Sequence, residues 1–229
     1  MRYCVIIVAG GSGNRFGSAV PKQFLDMSGK PVLMWTIDAF ERALAGRDHA
    51  ITVVLPQAQI DFWHKLCEAR GFDTPHSVAC GGRTRFESVK NGLDSFEKFA
   101  ADDLVAVHDG VRPLVTAQVV DEAFAQAAAR GCAIPVVRMT DSVRLVHGDD
   151  GTSEAVNRDT LRAVQTPQVF NAVKLKAAYD VDYDASFTDD ASVFEHAGHR
   201  VWLCAGDERN IKITHKIDLA LAEKILENE

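Results

Sequence analysis

The first segment whose residue types could do chemistry is a glycine-rich loop near the amino terminus. It reads Ala9-Gly10-Gly11-Ser12-Gly13-Asn14-Arg15, and Lys22 follows it after a proline. Closely spaced glycines let the backbone take positive φ angles and bring its N–H groups against phosphate oxygens, while Arg15 and Lys22 add positive charge. The segment is typical of a polyphosphate site, although a tight turn alone would also favour glycine.

The spacing of the glycines argues against two common nucleotide motifs. No Gly-Lys-Ser or Gly-Lys-Thr triplet follows, so the loop is not a Walker A motif, and one residue too many separates Gly13 from Gly17 for a dinucleotide fingerprint. A dinucleotide site also needs an acid at the end of the second strand to hold the ribose, yet that strand ends Val54-Leu55-Pro56-Gln57. Hydride transfer is therefore disfavoured.

A second glycine pair, Gly81-Gly82, follows the third predicted strand and opens a helix. Thr84, Arg85 and Ser88 come directly after it. Its N–H groups and hydroxyls would lie at the carboxyl edge of the sheet, where open α/β folds bind ligands. The segment could face a base or a ribose, and ordinary N-capping by Thr84 explains it equally well.

A carboxylate follows the fourth predicted strand, in the run His108-Asp109-Gly110-Val111-Arg112-Pro113. Asp109 suits Mg²⁺, because this hard cation is usually bound through one or two carboxylates together with substrate phosphates. A turn would also favour an aspartate here. We interpret Arg112 as a structural residue that is paired within the fold.

The elements that must position these residues alternate along the chain. Apolar runs rich in β-formers alternate with segments of helical period, which predicts an α/β fold of the Rossmann-like kind, a mostly parallel sheet with helices on both faces. We expect strands at 3–9, 51–55, 76–80, 104–108 and 133–137 and helices at 31–45, 59–70, 84–98 and 116–130.

A polar stretch at about 138–164 interrupts this rhythm and contains a Gly-Asp-Asp-Gly turn at 148–151. We expect it to form a projecting β-hairpin arm inserted in a single domain that spans residues 1–229. The core pattern then resumes at 166–170, with a helix near 172–181, an apolar run at 201–205, a short strand at 211–213 and a last helix at about 216–227.

Composition limits the classes of partner. The net charge of −7 argues against a broad nucleic-acid-binding face, which needs clustered Lys and Arg. The apolar run at the amino terminus is too short to span a membrane, and the five widely spaced cysteines include no Cys-x-x-Cys pair. A cytoplasmic protein with reduced thiols fits best, with no nucleic-acid or membrane partner and no zinc site.

Several blocks along nearly the whole chain together resemble the 2-C-methyl-D-erythritol 4-phosphate cytidylyltransferase family. They occur in the family's order and spacing, and this ordered set identifies the family far more specifically than any single block does. The blocks are Ala9 to Arg15, Pro21-Lys22-Gln23, Gly81-Gly82-x-x-Arg85-x-x-Ser88-Val89, His108-Asp109-x-x-Arg112-Pro113, Gln165-Thr166-Pro167-Gln168, Thr188-Asp189-Asp190-Ala191 and Asn210-Ile211-Lys212-Ile213-Thr214.

The resemblance implies a reaction of CTP with methylerythritol 4-phosphate that gives 4-diphosphocytidyl-2-C-methyl-D-erythritol and pyrophosphate in non-mevalonate isoprenoid synthesis. It also implies Mg²⁺ as cofactor and a homodimer joined through the arm. Arg158, Thr166 and Lys212 gain roles only through it, because isolated polar residues near strand ends are mostly solvated surface groups.

The same resemblance assigns roles to the remaining positions. The loop from Ala9 to Arg15 would hold the triphosphate with Lys22, while Gly82, Arg85 and Ser88 would bind the nucleotide. Asp109 would serve the metal and the acceptor, and Lys212 would face the reacting α-phosphate. Arg158 on the arm, Thr166 just after it, and Ser142 would bind the acceptor.

Two departures keep a close relative in view. Gly110 and Val111 stand where the family often has two alanines, and a valine there also suits ribitol-5-phosphate cytidylyltransferases. The run from Asp190 to Gly198 looks more like the methylerythritol enzymes, whereas Ser142 stands where a threonine is more usual. A sister sugar-phosphate nucleotidyltransferase and a catalytically silent nucleotide-binding regulator are the alternatives.

The residue types favour direct displacement without a covalent enzyme intermediate. A phosphate monoester has a second pKa near 6, so at neutral pH the acceptor is already an anionic nucleophile and needs no general base. The remaining tasks are to bring two polyanions together and to stabilise charge on the α-phosphate and on departing pyrophosphate. Arg15, Lys22 and Lys212 have the charge for this.

Overall fold

Strands and helices alternate through most of the chain, as the sequence predicts. The computed structural model describes residues 1–11 and 20–228. The strands are β1 Tyr3–Val8, β2 Asp26–Met27, β3 Lys30–Pro31, β4 His49–Leu55, β5 Ser77–Cys80, β6 Leu104–Asp109, β7 Cys132–Arg138, β8 Val143–His147, β9 Thr152–Val156, β10 Arg162–Val164, β11 Gln168–Asn171 and β12 Leu203–Ala205. The α-helices are α1 Val32–Leu44, α2 Gln57–Arg70, α3 Arg85–Asp94, α4 Ala117–Arg130, α5 Ala172–Ala178, α6 Asp190–His196 and α7 Lys216–Leu226.

The main sheet of the described residues has eight strands, and four neighbouring strands in one half of it are parallel. Its order is β10-β7-β11-β6-β1-β4-β5, and β12 pairs with β7. Strands β6, β1, β4 and β5 run parallel, so their carboxyl ends share one edge. Strand β11 runs antiparallel between β6 and β7. The predicted α/β class with a mostly parallel sheet is confirmed.

The apolar side chains of β1 point alternately to the two faces of the sheet, which is the period of a strand. Val5 and Ile7 pack in a core cluster with α1, α2 and α4, whereas Cys4 and Ile6 pack in a second cluster with α3, α5 and α6. Helix α4 buries a stripe of apolar residues spaced at the period of a helix, from Val119 to Ala127. Burial on both faces holds the parallel strands, and hence their carboxyl ends, in place.

The ends of the helices are set by local chemistry. Thr84 and Thr116 cap α3 and α4, each accepting a backbone N–H from the third residue of its helix. Helices α2 and α4 end at Gly71 and Gly131, whose φ angles of 59° and 92° favour glycine. The turn from β5 into α3 is therefore fixed by its own cap, which matters for the glycine pair that precedes it.

The predicted arm is present as the antiparallel pair β8–β9, which joins Val143–His147 to Thr152–Val156. Both ends of the arm are held at one strand of the main sheet. The chain leaves from the end of β7 and returns as β10, which pairs antiparallel with residues 136–138 of β7. The next residues, Gln165 and Thr166, enter the buried region below the sheet edge.

Two sequence predictions about elements are wrong in detail. Residues 211–213 form no strand, because Ile211 N–H bonds locally to the Arg209 carbonyl and only Ile213 N–H reaches a neighbouring segment, at the Val111 carbonyl. Helix α3 ends at Asp94 instead of at residue 98, because the Ser95 hydroxyl donates to the Gly92 carbonyl and closes the last turn.

None of the described helices has the length and hydropathy needed to cross a membrane.

Candidate active site

A cavity of about 480 Å³ opens at the shared carboxyl edge of the parallel strands. Its walls come from the ends of β1 and β6, the β5–α3 turn and the segment before α7. Its lining residues are Val8, Ala9, Gly10, Gly11, Lys22, Gln23, Gly82, Arg83, Thr84, Arg85, Ser88, Asp109, Val111, Lys212 and Thr214. Most of the residues proposed from the sequence for nucleotide binding and catalysis thus meet in one place.

The start of the glycine-rich loop forms one wall. Ala9 N–H donates to the Val54 carbonyl, which continues the ladder of β1 beyond its last residue. The buried Gln23 side chain donates to the Ala9 carbonyl at 2.7 Å. A Cβ on Gly11 would lie 3.9 Å from Cε of Lys22, so the lysine runs alongside the loop. Ser12, Gly13 and Arg15 lie outside the described residues.

The β5–α3 turn forms the opposite wall and uses its own side chains to hold its backbone. Gly82 N–H donates to Ser88 Oγ at 3.1 Å, and the Ser88 hydroxyl donates to the Thr84 carbonyl at 2.8 Å. A Cβ on Gly82 would lie 2.2 Å from that of Glu87, so only glycine fits. The turn is both a capped helix start and a wall of the cavity, and the two interpretations of its sequence are compatible.

Arg85 lines the cavity but is tied to a buried carboxylate that the sequence interpretation did not assign. Its two terminal nitrogens donate to the two oxygens of Asp190 at 2.9 and 2.6 Å, and the Tyr179 hydroxyl donates to the same Asp190 at 2.7 Å. Burial, reinforced by Asp190, raises the pKa of Tyr179 well above its usual value. Arg85 is therefore a fixed positive charge beside the cavity.

The sequence contains a local pattern next to Asp190, the partner of Arg85, but that pattern predicts a role for Asp189. The Thr188-Asp189-Asp190 run has the residue types of a helix N-cap, and Asp189 does cap α6 in a capping box with Ser192. The second aspartate, Asp190, is fully buried at the first position of that helix. A carboxylate without solvent needs a charged partner, which is Arg85.

Asp109 lies at the end of β6, and three cations surround it. Its Oδ2 atom is 3.0 Å from Lys212 Nζ and 3.2 Å from Arg112 Nε. Burial would raise the pKa of Asp109, but Lys212, Arg85 and Arg112 outweigh it and hold the pKa well below its usual range. The carboxylate is thus ionised although the residue is only 8% exposed. Arg112 is paired within the fold, as expected, and its partner is the candidate site itself.

Buried polar groups lie directly behind Asp109. The Asp109 N–H donates to Thr166 Oγ1 at 3.1 Å, and the His108 ring contacts the same hydroxyl. Burial lowers the pKa of His108 to about 4, so the ring is neutral at neutral pH. Thr166 is buried and does not line the cavity, so its place is below the carboxylate.

The segment that carries Lys212 is fastened to the same region. The Gln165 side chain donates to the Asp207 carbonyl and accepts from Asp207 N–H, at 2.8 and 3.1 Å. Asn210 Nδ2 donates to the Thr166 carbonyl at 2.8 Å. Gln165 and Asn210 were quoted from the sequence without a role, and the structure gives them one.

Ser142 and Arg158 lie apart from the cavity, at the arm. Both are exposed, and neither is among the lining residues. Arg158 donates from its guanidinium to the Thr140 carbonyl at the base of the arm. Within this one chain, the structure brings Thr166 and Asp109 together but does not bring Ser142 or Arg158 to them.

The single carboxylate at Asp109 suits Mg²⁺, which can take its other ligands from phosphates and water. It does not suit a metal ion whose ligands all come from the protein. The described residues contain no group of three or more His, Cys, Asp or Glu side chains that could hold an ion. Asp109 Oδ2 is taken by Arg112 and Lys212, while Oδ1 makes no hydrogen bond to a described residue. One carboxylate oxygen at the wall of a polyanion-sized cavity suits a cation that keeps its remaining ligands from phosphates and water.

Comparisons with known proteins agree with this geometry. The family model described as IspD: 2-C-methyl-D-erythritol 4-phosphate cytidylyltransferase matches residues 3–228. Proteins of that name from Bacteroides fragilis and Bacteroides thetaiotaomicron are each 48% identical to this chain. The first alignment covers 96% of this chain and 98% of that protein, and the second 99% and 100%.

Solved structures agree as well. A 4-diphosphocytidyl-2C-methyl-D-erythritol synthase from Anaerococcus prevotii superposes with a TM-score of 0.81 at 27% identity, covering 98% of both chains. A 2-C-methyl-D-erythritol 4-phosphate cytidylyltransferase from Thermus thermophilus superposes with a TM-score of 0.72 at 28% identity, covering 97% of this chain and 98% of that one. The resemblance found in the motif blocks is confirmed, and this chain belongs to the 2-C-methyl-D-erythritol 4-phosphate cytidylyltransferase family.

Proposed function

We propose that this chain transfers the cytidylyl group of CTP to 2-C-methyl-D-erythritol 4-phosphate, giving 4-diphosphocytidyl-2-C-methyl-D-erythritol and pyrophosphate. The observation that carries the proposal is the meeting of Lys22, Asp109 and Lys212 in one cavity between two glycine turns. Two polyanionic substrates need such fixed positive charge in order to approach each other. Family membership supplies the identity of the substrates.

The proposed reaction is one displacement at phosphorus. An oxygen of the acceptor phosphate attacks the α-phosphorus, the bond from that atom to the oxygen bridging the β-phosphate breaks, and pyrophosphate leaves with the bonding electrons. The acceptor needs no deprotonation, because its second pKa is near 6. The charges around the cavity fit this task, which is mostly positioning and electrostatic stabilisation.

The nucleotide is proposed to lie between the two glycine turns. The Ala9–Gly11 backbone and Lys22 would hold its phosphates, and Gly82 and Ser88 would lie on the nucleoside. Arg85 adds a charge that Asp190 holds in a fixed orientation. Ser12, Gly13 and Arg15 belong to the same proposal through the family's loop, outside the described residues.

Asp109 and Lys212 are proposed to act at the reacting phosphate. Mg²⁺ would neutralise negative charge on the phosphates of the two substrates. Oδ1 of Asp109 is the atom that would bind this ion. Lys212 Nζ, 3.0 Å from Oδ2 and 44% exposed, can turn from the carboxylate toward the α-phosphate. The Asp109–Lys212 pair therefore holds the lysine charge at the wall of the cavity until the substrates bind.

The acceptor side of the proposal includes Ser142, Arg158 and Thr166 and requires a homodimer. Ser142 and Arg158 lie on the arm and outside the cavity of their own chain, which supports their acting in the site of a second copy. The arm also exposes Leu145 and Val146, which are 51% and 62% accessible and suit a protein contact. A cytoplasmic location belongs to the same proposal and is supported by five free cysteines.

The test is pyrophosphate release from CTP and Mg²⁺ with a panel of acceptors. We expect release with 2-C-methyl-D-erythritol 4-phosphate and much less with ribitol 5-phosphate. Faster release with ribitol 5-phosphate would assign the chain to the sister activity, and no release with any acceptor would favour a silent nucleotide-binding protein. With a chiral α-phosphorus, a single displacement inverts the configuration, and retention would contradict the mechanism.

A further inference from the structure

The His108 ring, next to the candidate metal-binding Asp109, is fully buried and makes two hydrogen bonds. Its Nδ1 atom is 3.0 Å from Thr166 Oγ1, and its Nε2 atom is 3.2 Å from the Arg112 carbonyl oxygen. The ring also packs edge-on against Phe40, with centroids 4.8 Å apart. None of the roles given so far to the candidate site uses this side chain.

The partners of the ring decide which nitrogen carries its proton. A carbonyl oxygen can only accept a hydrogen bond, so Nε2 must be the N–H that donates to Arg112. In a neutral imidazole Nδ1 is then an acceptor, and the Thr166 hydroxyl must donate to it. The Thr166 oxygen accepts in turn from Asp109 N–H at 3.1 Å. The hydrogen bonds therefore run in one direction, from Asp109 through Thr166 to His108 and on to Arg112.

These bonds belong to a closed ring around Asp109. The Arg112 side chain returns to Asp109 Oδ2 at 3.2 Å and also donates to the Asn210 carbonyl at 2.7 Å. Asn210 Nδ2 closes the ring on the Thr166 carbonyl at 2.8 Å. Both the backbone and the carboxylate of Asp109 are thus held, and the segment that carries Lys212 is held with them.

The direction of the bonds limits what Thr166 can do. Its one hydroxyl proton is given to His108, so Thr166 has none to donate to the phosphate of an acceptor while that bond exists. Its remaining capacity is to accept. It accepts from the amide of Asp109, and through that bond it can act on a phosphate-transfer site without touching the phosphate.

We propose that His108 is a positioning residue, which orients the Thr166 hydroxyl and thereby fixes the Asp109 carboxylate relative to Lys212. The inference rests on the proposed function for the roles of Asp109 and Lys212. It goes beyond that function by assigning a role to His108 and by replacing a direct acceptor contact of Thr166 with an indirect one.

The first experiment determines the ring tautomers in the intact protein from ¹⁵N chemical shifts of labelled histidine. We expect His108 to carry its proton on Nε2. His76 is an internal control of opposite sense, because its Nε2 accepts from Trp63 Nε1 at 3.0 Å and its Nδ1 faces the Thr74 carbonyl at 2.7 Å. A proton on Nδ1 of His108 would overturn the proposal whatever the activity of the enzyme.

The second experiment separates the two bonds of the ring by substitution. In His108→Asn the side-chain oxygen can take the place of Nδ1 and accept from Thr166. In His108→Gln the amide nitrogen can take the place of Nε2 and donate to Arg112. We expect His108→Gln to lower kcat about 10²-fold, the scale of a misplaced reacting group, with little change in the KM for CTP. His108→Asn should retain clearly more activity, and equal losses in the two variants would contradict the proposal.

Thr166 provides a matched cycle. Thr166→Ser keeps the hydroxyl and should lose far less activity than Thr166→Val, which removes it and should lower kcat as His108→Gln does. Adding His108→Gln to Thr166→Val should cost little more, because both remove the same hydrogen bond, and fully additive losses would count against the relay. An active enzyme with the wrong tautomer defeats this inference alone, whereas an inactive native enzyme defeats the proposed function and leaves the tautomer result to stand.

Discussion

Asp109 shows how single residues in this molecule are kept charged out of water. A carboxylate that is 8% exposed would normally become protonated, but two cations share one of its oxygens and a third acts from nearby. The arrangement places two of these positive charges, on Lys212 and Arg85, at the wall of the cavity as well. The same residues that stabilise the ionised Asp109 can therefore stabilise the phosphates of a substrate.

Replacing the lysines of the cavity should remove activity without unfolding the protein. We expect Lys22→Ala and Lys212→Ala each to lower kcat by about 10²–10³, because in the proposed mechanism each removes one preorganised charge contact to the reacting phosphates. Lys98→Ala is the matched control, since Lys98 lies by a separate cavity at the other end of the sheet. Circular dichroism checks the fold, and native turnover in a folded variant would remove that lysine from the site.

A histidine far from the cavity gives the stability a pH dependence of known sign. Burial would lower the pKa of His49, but its hydrogen bonds with Glu41 and the Arg47 carbonyl, together with the charges of Glu41 and Asp48, outweigh burial and raise the pKa above its ordinary value. His49 Nε2 and Glu41 Oε2 are 2.9 Å apart. The stabilisation is fully present below the unfolded pKa and is lost as pH rises through the folded value. Glu41→Gln should therefore lower the Tm more at about pH 5.5 than at about pH 9. An equal change in Tm at both pH values would show that the pair does not titrate in this way.

At this scale the sequence predicted the charged residues of the cavity better than their partners. Asp109 was found because carboxyl ends of parallel strands share an edge. The pairing of Arg85 with Asp190 spans 105 residues and the contact of Thr166 with His108 spans 58, so neither leaves a local pattern. Burial of Asp190 is decided by the packing of α6, which a single sequence does not contain.

Among the elements, the β5–α3 turn shows how a short segment can both begin a helix and form a wall of the cavity. Its cap residue Thr84 begins the helix, its Ser88 side chain holds Gly82 N–H, and its glycines leave space beside the cavity. A side chain at Gly82 would collide with Glu87, so this wall keeps its shape only with glycine. The turn is therefore built before any ligand arrives.

An exposed thiol next to this turn can report on the nucleotide. Cys80 is exposed at the end of β5, whereas burial raises the pKa of Cys4 to about 12 and that of Cys67 to about 11. We expect an alkylating reagent to modify Cys80 first, and CTP with Mg²⁺ to slow this reaction several-fold if the nucleoside covers the turn as proposed. Mass spectrometry of labelled peptides measures it.

Cys80→Ser is the control for this labelling and should lose the fast phase. The slower reaction of Cys67 on α2 is the internal reference and should not respond to CTP. Labelling of Cys80 that stays unchanged at saturating CTP would show that the nucleotide does not lie over the β5–α3 turn.

The elements themselves followed the sequence where a local period existed. Helices α1, α2 and α4 and the parallel strands were predicted because their apolar spacing repeats. The antiparallel direction of β11 was not, since its few residues pair with partners far away in the chain, such as Val107 and Ala133. The segment at 211–213 was mistaken for a strand because alternating apolar residues can also serve an irregular segment, here with Ile213 packed under α7.

At the scale of the whole molecule, positive side chains are concentrated in one cavity although the chain is acidic overall. The chain carries a net charge of −7, yet Lys22, Arg83, Arg85 and Lys212 all line one cavity whose described walls contribute a single carboxylate, Asp109. Such local concentration serves a small anionic ligand and gives no extended basic face. Arg158, exposed near the base of the arm, lies outside this cavity within the single chain.

Mixing two inactive variants tests whether the arm works in the partner's site. Lys22→Ala subunits retain an intact arm, and Arg158→Ala subunits retain an intact cavity. If the arm acts across a two-fold dimer, each mixed dimer has one complete site, so random exchange of equal amounts should restore about a quarter of the native activity. Each variant refolded alone is the control, and no gain on mixing would mean that the arm serves its own chain or none.

Because β11 lies antiparallel between β6 and β7, the main sheet cannot be completed until late in the synthesis of the chain. Strand β6 pairs with β1 on one side, but its other edge stays open until residues 168–171 have been synthesised and can enter between β6 and β7. Thr166 and Asn210, which hold Asp109, are made later than the strand that carries it. A nascent chain therefore exposes an apolar edge of β6, the kind that promotes aggregation, until β11 has been made and covers it.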